Sequence, residues 1–135
     1  MFEFNAIEVG SQVPELRQVV TAENLVRYAG ASDDYVYLHW DKVRVVEEGY
    51  HDVIIHGWLI FAYMCRAVTE WIPPEFADVK AYAVRYLRTA HPGEIRCGGN
   101  VTARREETSE VDLALWAKDQ TGQLVTSATM SVAFV

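Results

Sequence analysis

The sequence predicts an α+β domain in which one antiparallel sheet closes around a single long helix. Three observations predict it. The run from Trp58 to Trp71 is apolar on every side, every segment after Asp78 has the period of a strand, and no repeat, low-complexity tract or linker divides the chain. With 135 residues, 50% of them apolar, the chain has the size of one domain with a core of its own, spanning 1–135.

The elements follow in order. Met1 to Gly10 alternates acidic and apolar residues and carries neither a basic leader nor a small-residue cleavage site, the pattern expected of a cytoplasmic protein. Thr21 is placed to cap a short helix whose apolar stripe is Leu25, Val26, Tyr28 and Ala29, with Gly30 as its stop. Ser32 to Asp41 has neither helical nor strand period and reads as an ordered loop. Asp41 caps a second short helix, Lys42 to Glu48, ended by Gly49. Val53, Ile54 and Ile55 then lead through His56-Gly57 into the long helix, which Pro73-Pro74 ends. Because that helix is greasy all round, other structure must cover it. Its apolar run is broken by His56 and closed by Arg66, short of the roughly 20 residues that span a bilayer.

Four strands are expected, Val79 to Thr89, Glu94 to Glu106, Glu110 to Asp119 and Gln123 to Val135, with turns at His91-Pro92-Gly93 and Gln120-Thr121-Gly122. Val111, Leu113 and Leu115 alternate onto one face of the third, and Leu124, Ala128, Met130, Val132 and Phe134 onto one face of the fourth. The sheet therefore has a face to cover and the helix a surface to bury. Curling the one around the other satisfies both, and that arrangement is the hot-dog fold.

A net charge of -7 argues against nucleic acid as a partner, since phosphates need a basic surface. The charge is unevenly placed: 5 Lys+Arg against 13 Asp+Glu up to Asp78, then 7 against 6. The second half tolerates a phosphorylated ligand, although Arg85, Arg88, Arg96, Arg104 and Arg105 equally suit the outer face of a sheet. Cys65 and Cys97 lack the spacing of a zinc or redox pair and read as reduced core residues. His51 and His56 complete no ligand set, so no metal is expected.

Asp34 and His39 lie five apart in the aromatic loop. A carboxylate and an imidazole at that spacing are able to hold a water and move its proton, because imidazole titrates near neutrality and carboxylate is a strong acceptor. Solvated or capping residues are the other reading.

The run Tyr28-Ala29-Gly30-Ala31-Ser32-Asp33-Asp34-Tyr35-Val36-Tyr37-Leu38-His39 resembles the hydratase signature Y-x-x-x-S-G-D-x-N-P-x-H of the MaoC-like, (R)-specific enoyl-thioester hydratases, with Tyr28, Ser32, Asp34 and His39 in register. Ile54-Ile55-His56-Gly57-Trp58-Leu59 is similar to that family's entry to its central helix. Val84 to Glu94, with Arg85-Tyr86 and Pro92-Gly93-Glu94, is similar to its aromatic strand. Order, spacing and structural setting agree across the three. Asp33 stands where the family has Gly, and Val36-Tyr37 where it has Asn-Pro.

The resemblance implies (R)-specific hydration of a trans-2-enoyl thioester, or the reverse dehydration. Asp34 and His39 bracket the water and deliver a proton to the α-carbon, and the Gly57 amide faces the thioester oxygen. Which of the two takes the proton from water is a coupled question; Asp34 is assigned as principal base. Gly57 otherwise reads as a packing glycine, and His56 as a structural histidine outside catalysis. Ser32, Tyr35, Val36, Trp58 and Arg85 are placed by the resemblance beside the substrate, which is carried on coenzyme A or an acyl carrier, with no further cofactor. The expected assembly is a homodimer or a heteromer with another hot-dog subunit. A subunit with little activity alone and an acyl-CoA thioesterase are the rival readings. Glu70, the carboxylate within the long helix, sits far from Gly57 for the latter.

Overall fold

In the computed structural model, which describes residues 3–135, Thr21 caps helix α1 (Ala22–Ser32) through a reciprocal pair of hydrogen bonds with Asn24. Residues 1 and 2, where the expected domain and the stretch read for a leader begin, lie outside the described residues. Gly30 does not end α1. The helix continues to Ser32, and Asp33 takes the left-handed conformation, φ 59°, that terminates it. Gly30 gives up only about 1 kcal/mol of helix propensity, too little to stop a helix whose Leu25 and Ala29 are buried.

Helix α2 (Lys42–Glu47) starts at Asp41, whose carboxylate accepts from the Arg44 amide, and Gly49 turns the chain away at φ 100°. Between the two helices, Tyr37–His39 forms one 3-10 turn. An extended stretch, with Val53, Ile54 and Ile55 buried, ties that loop to the sheet: the Ile54 amide donates to Leu38 and the Ile55 amide to Ala90. Helix α3 (Gly57–Trp71) follows at once.

The sheet has five antiparallel strands, β1 (Gln12–Val20), β2 (Ala77–Tyr86), β3 (Gly93–Arg105), β4 (Glu110–Lys118) and β5 (Leu124–Phe134), in the order β1-β3-β4-β5-β2. Four match the expected strands. β1 was not expected, for a physical reason: it is an edge strand with Pro14, Glu15, Arg17 and Gln18, and its register shifts between Val13 and Leu16. Proline and charge are what an exposed edge carries, and they erase the apolar alternation. β2 also ends sooner than expected, at Tyr86, after which the Leu87 and Arg88 amides both donate to the Val125 carbonyl. On β5, Leu124 turns outward and Val125 inward, because the β4 pairing skips a residue between Ala117 and Lys118.

The concave face buries Val111, Leu113 and Leu115 of β4 and Ala128, Met130 and Val132 of β5 against Leu59, Ile60, Met64, Ala67 and Val68 of α3. Each large side chain so buried contributes about 1.5–3 kcal/mol. The sheet reaches only part of the helix. Trp58, Ala62, Arg66 and Glu70, four apart, remain at the surface. Burial of the Cys97 thiol pushes its pKa up to about 12, which keeps it inert, and both cysteines are free. Among the described residues, no helix is long and apolar enough to cross a membrane.

On the convex face Arg105 grips Asp112 with both terminal nitrogens, at 2.6 and 2.8 Å, and donates to Glu110 at 3.0 Å; Ser131 adds a hydrogen bond of 2.6 Å to Asp112. The Arg105 hydrogen bonds, then that of Ser131, hold the Asp112 carboxyl down to about 2 from its ordinary 3.8. A depressed carboxylate stabilises the fold above its unfolded value and loses that contribution as pH falls through the folded one. Asp112→Asn therefore lowers the urea midpoint at neutral pH, and the gap from wild type narrows as the pH drops from 3.8 toward 2. A gap independent of pH across that range would contradict this.

Candidate active site

The site is assembled where the loop after α1 meets the start of α3. The left-handed turn at Asp33 brings Asp34 back over the helix end. The Ser32 hydroxyl donates to the Tyr28 carbonyl at 2.7 Å and accepts from the Asp34 amide at 3.3 Å. The Asp34 carboxylate in turn accepts from the Val36 amide at 3.3 Å. Aromatic packing takes over where a proline is missing. Tyr37 lies 3.5 Å beneath the Arg44 guanidinium and donates its hydroxyl to Glu48 at 2.9 Å, and the Trp40 indole donates to the Tyr35 carbonyl at 2.8 Å.

His39 is then fixed from two sides. Its Nδ1 lies 2.6 Å from the Ile54 carbonyl, an acceptor only, so the proton of the neutral ring sits on Nδ1. The opposite nitrogen, Nε2, faces Asp34 Oδ2 at 3.7 Å. A neutral imidazole lone pair and a carboxylate are both acceptors, and 3.7 Å is too long for a direct hydrogen bond. One water donating a hydrogen to each is the complement of that pair.

His56 lies closer to this chemistry than its sequence setting implies. It is only 1% exposed. Its ring stacks on His39 with centroids 3.6 Å apart and planes within 16°, the Tyr28 ring meets it edge-on, and its Nε2–H donates to the Asp34 carbonyl at 3.3 Å. Its Nδ1 is buried with no protein partner. Burial first, and then the neighbouring His39, pushes its pKa below the ordinary 6.5. Burial, then Asp34, raises the pKa of the Tyr28 phenol, which stays protonated.

Asp34, His39 and His56 offer ligand atoms within 4.8 Å of one another. The stacking prevents a chelate. Imidazole lone pairs lie in the ring plane, and two nearly parallel planes do not converge on an ion held at about 2.0–2.1 Å from each nitrogen.

Gly57 opens α3. Neither its amide nor that of Trp58 meets a backbone acceptor among the described residues, as expected of a helix start whose preceding residue supplies no side-chain cap. His39, Gly57, Trp58, Ile54, Tyr86 and Arg88 are among the residues lining a cleft of about 440 Å³. A β-carbon on Gly57 would stand 2.8 Å from the Tyr86 ring, so both readings of this glycine hold at once: its amide is open and its missing side chain makes room for an aromatic wall.

The other expected substrate contacts divide. Trp58 lines the cleft. Ser32 is engaged in ordering the loop. Tyr35 and Val36 are exposed and outside the lining. Arg85 pairs in register with Ser127 and faces away, while its neighbours Tyr86 and Thr126 face in, as strand alternation requires. The cleft's arginine is instead Arg88, just past the strand; Arg96, Arg104 and Arg105 are occupied by carboxylates. Tyr86, Ile54 and His56 were missed as site residues although all three stand in the quoted motifs.

The MaoC like domain family matches residues 5–117. Protein MaoC of Klebsiella aerogenes is 24% identical over 119 residues, 84% of this chain and 36% of that protein, so the chain spans about a third of that curated relative. The (R)-hydratase from A. caviae involved in PHA biosynthesis has the same fold, with a TM-score of 0.90 at 21% identity over 96% of this chain and 98% of that one. So does the ChsH1-ChsH2 complex from Mycobacterium tuberculosis, with a TM-score of 0.84 at 22% identity over 95% and 98%.

Gly57→Ala forces the Tyr86 ring to move and costs stability; in a Tyr86→Ala background the same change costs less, and equal costs in both backgrounds would refute the contact. Because the folded His56 pKa lies below 6.5, the unfolded chain takes up that proton first, and stability is lost as pH falls from 6.5 toward the folded value. Chemical denaturation across that window will show a shallower decline in His56→Phe than in wild type.

Proposed function

The chain belongs to the MaoC like domain family, and from that premise we propose that it is a hydro-lyase, adding water to trans-2-enoyl thioesters with (R) specificity or removing it from 3-hydroxyacyl thioesters. One observation carries the reading. The His39 tautomer is fixed by the Ile54 carbonyl, so that its free nitrogen and the Asp34 carboxylate stand 3.7 Å apart, both as acceptors for a water seated beside the pair, with His39 on the same cleft as the open amide of Gly57.

The chemistry follows from those groups. A water held between Asp34 Oδ2 and His39 Nε2 adds its oxygen to the β-carbon as one of its protons passes to the dyad. The electron pair of the double bond shifts toward the thioester, and charge builds on the carbonyl oxygen. An amide at a helix N-terminus is a preorganised donor for that charge. The dyad then delivers its proton to the α-carbon, so that the elements of one water are added in total. Neutral His39 and ionised Asp34 are the competent state.

The substrate is an acyl thioester of coenzyme A or an acyl carrier, with the acyl group in the apolar cleft and Arg88 at hand for an anionic group of the carrier. No further cofactor enters. A second hot-dog subunit, identical or homologous, is the proposed partner. β2 is an open edge with Val79, Tyr82 and Tyr86 exposed, and unpaired strand edges with apolar side chains invite pairing. The ChsH1-ChsH2 complex shares the fold, which keeps the heteromer as the second reading. A thioesterase acting through a helix carboxylate is not supported: Glu70 stands on the outer face, tied to Arg66 at 2.6 Å, thirteen residues from Gly57 and so about 20 Å along the helix.

Purified protein mixed with crotonyl-CoA and longer enoyl-CoAs will lose enoyl absorbance without releasing thiol. Thiol release would favour the thioesterase, and silence until a second subunit is added the heteromer. Asp34→Asn and His39→Gln will each lower kcat by about 100-fold or more while leaving the thermal unfolding midpoint near wild type. Near-normal rates in either variant would remove the dyad.

A further inference from the structure

His56 touches every part of the site yet does not line the cleft. Its ring stacks on His39, its Nε2–H is bonded to the Asp34 main chain, and Tyr28 of α1 closes its edge. Its own carbonyl accepts from the Leu59 and Ile60 amides at 3.0 and 3.2 Å, which starts α3 at Gly57. One buried residue thus joins the loop acid and the loop base through its ring and the helix whose amide end is open through its carbonyl.

We propose that His56 is a positioning residue for the hydration read above: its face sets the plane of the His39 ring, and its Nε2–H holds the Asp34 backbone at the distance where a single water bridges the two. The inference rests on that functional reading for its kinetic consequence, but its geometric consequence stands alone.

A flat ring is needed for the stack, and phenylalanine would supply one without burying a nitrogen that no protein group satisfies. An orphaned buried polar atom is destabilising, so a residue serving only to fill space is better as an aromatic hydrocarbon. What histidine adds is a donor at the ring tip, aimed at the Asp34 carbonyl. The ring must also be uncharged, since a cation there would lie face to face with the catalytic imidazole. The titratable groups around it are Asp34 and His39 from the loop and Tyr28 from α1, and burial keeps it neutral among them.

His56→Phe tests this, because it keeps a flat ring in the stack and removes the Nε2–H donor, together with the Nδ1 that no protein group satisfies. With an enoyl-CoA that the wild type hydrates, kcat will fall about 10- to 100-fold, the size of effect that a small misplacement of reacting groups produces. KM will stay within about threefold and the melting temperature will not drop. His56→Gln, which returns an amide donor at similar reach, will recover part of the lost kcat. A crystal structure of His56→Phe will show Asp34 Oδ2 and His39 Nε2 separated beyond the 3.7 Å of the native pair. Wild-type kcat in His56→Phe, or an unchanged separation in its crystal structure, would overturn the proposal. Were the wild type to hydrate no enoyl thioester, the functional reading would fall, and the crystallographic separation would still decide whether His56 positions the pair.

Discussion

The apolar contact between α3 and the concave sheet sets the position of the helix end around which the candidate site is built. Met64 and Val68 lie against Leu113, Met130 and Val132, all nearly inaccessible to solvent, so the helix has one seat and one axial position. Its first residue then falls at the rim of the sheet, beside the end of β2, where backbone amides would ordinarily find a side-chain cap. None is supplied. The open helix start is thus a consequence of packing as much as of local sequence, and the segment from Val53 to His56, pinned to Leu38 on one side and Ala90 on the other, has little freedom to place it elsewhere.

The loop that brings the acid and the base together depends on a different physics. Where relatives of its signature carry glycine, asparagine and proline, this chain carries Asp33, Val36 and Tyr37. Asp33 adopts the left-handed conformation that a glycine takes without strain, which aspartate tolerates better than most residues because its short polar side chain bonds locally. Tyr37 supplies by contact with Arg44 of α2 and with Glu48, the residue that caps its C-terminus, the restraint that a proline ring supplies covalently. The loop is therefore ordered through its neighbour, and α2 acts as the brace of the site without touching it.

Much of this was legible in the residues. The long helix, four strands and the Thr21 and Asp41 caps follow from period and capping chemistry, and Asp34, His39 and Gly57 are read from motif spacing. What was hidden depends on three-dimensional pairing. β1 is an edge whose Pro14, Glu15 and Arg17 suppress the alternation that identifies a strand. The extension of α1 past Gly30 is decided by burial of Leu25 and Ala29, not by propensity. Arg85 and Arg88 differ only in which side of the chain each faces, and that is set by where β2 leaves the sheet. His56 reads as structural in sequence because its contacts with His39 and Asp34 run through a ring face and a main-chain oxygen, neither of which leaves a pattern in sequence.

The groups that orient the two stacked imidazoles are peptide oxygens, those of Ile54 and Asp34. Every amino acid provides a peptide oxygen, so the anchor at position 54 is indifferent to the side chain there, while that side chain forms part of the cleft wall. In the reaction proposed above, selectivity and catalysis are consequently written in different atoms of the same residue. Exchanging Ile54 for a larger or smaller residue would reshape the cleft while leaving in place the carbonyl that sets the His39 tautomer.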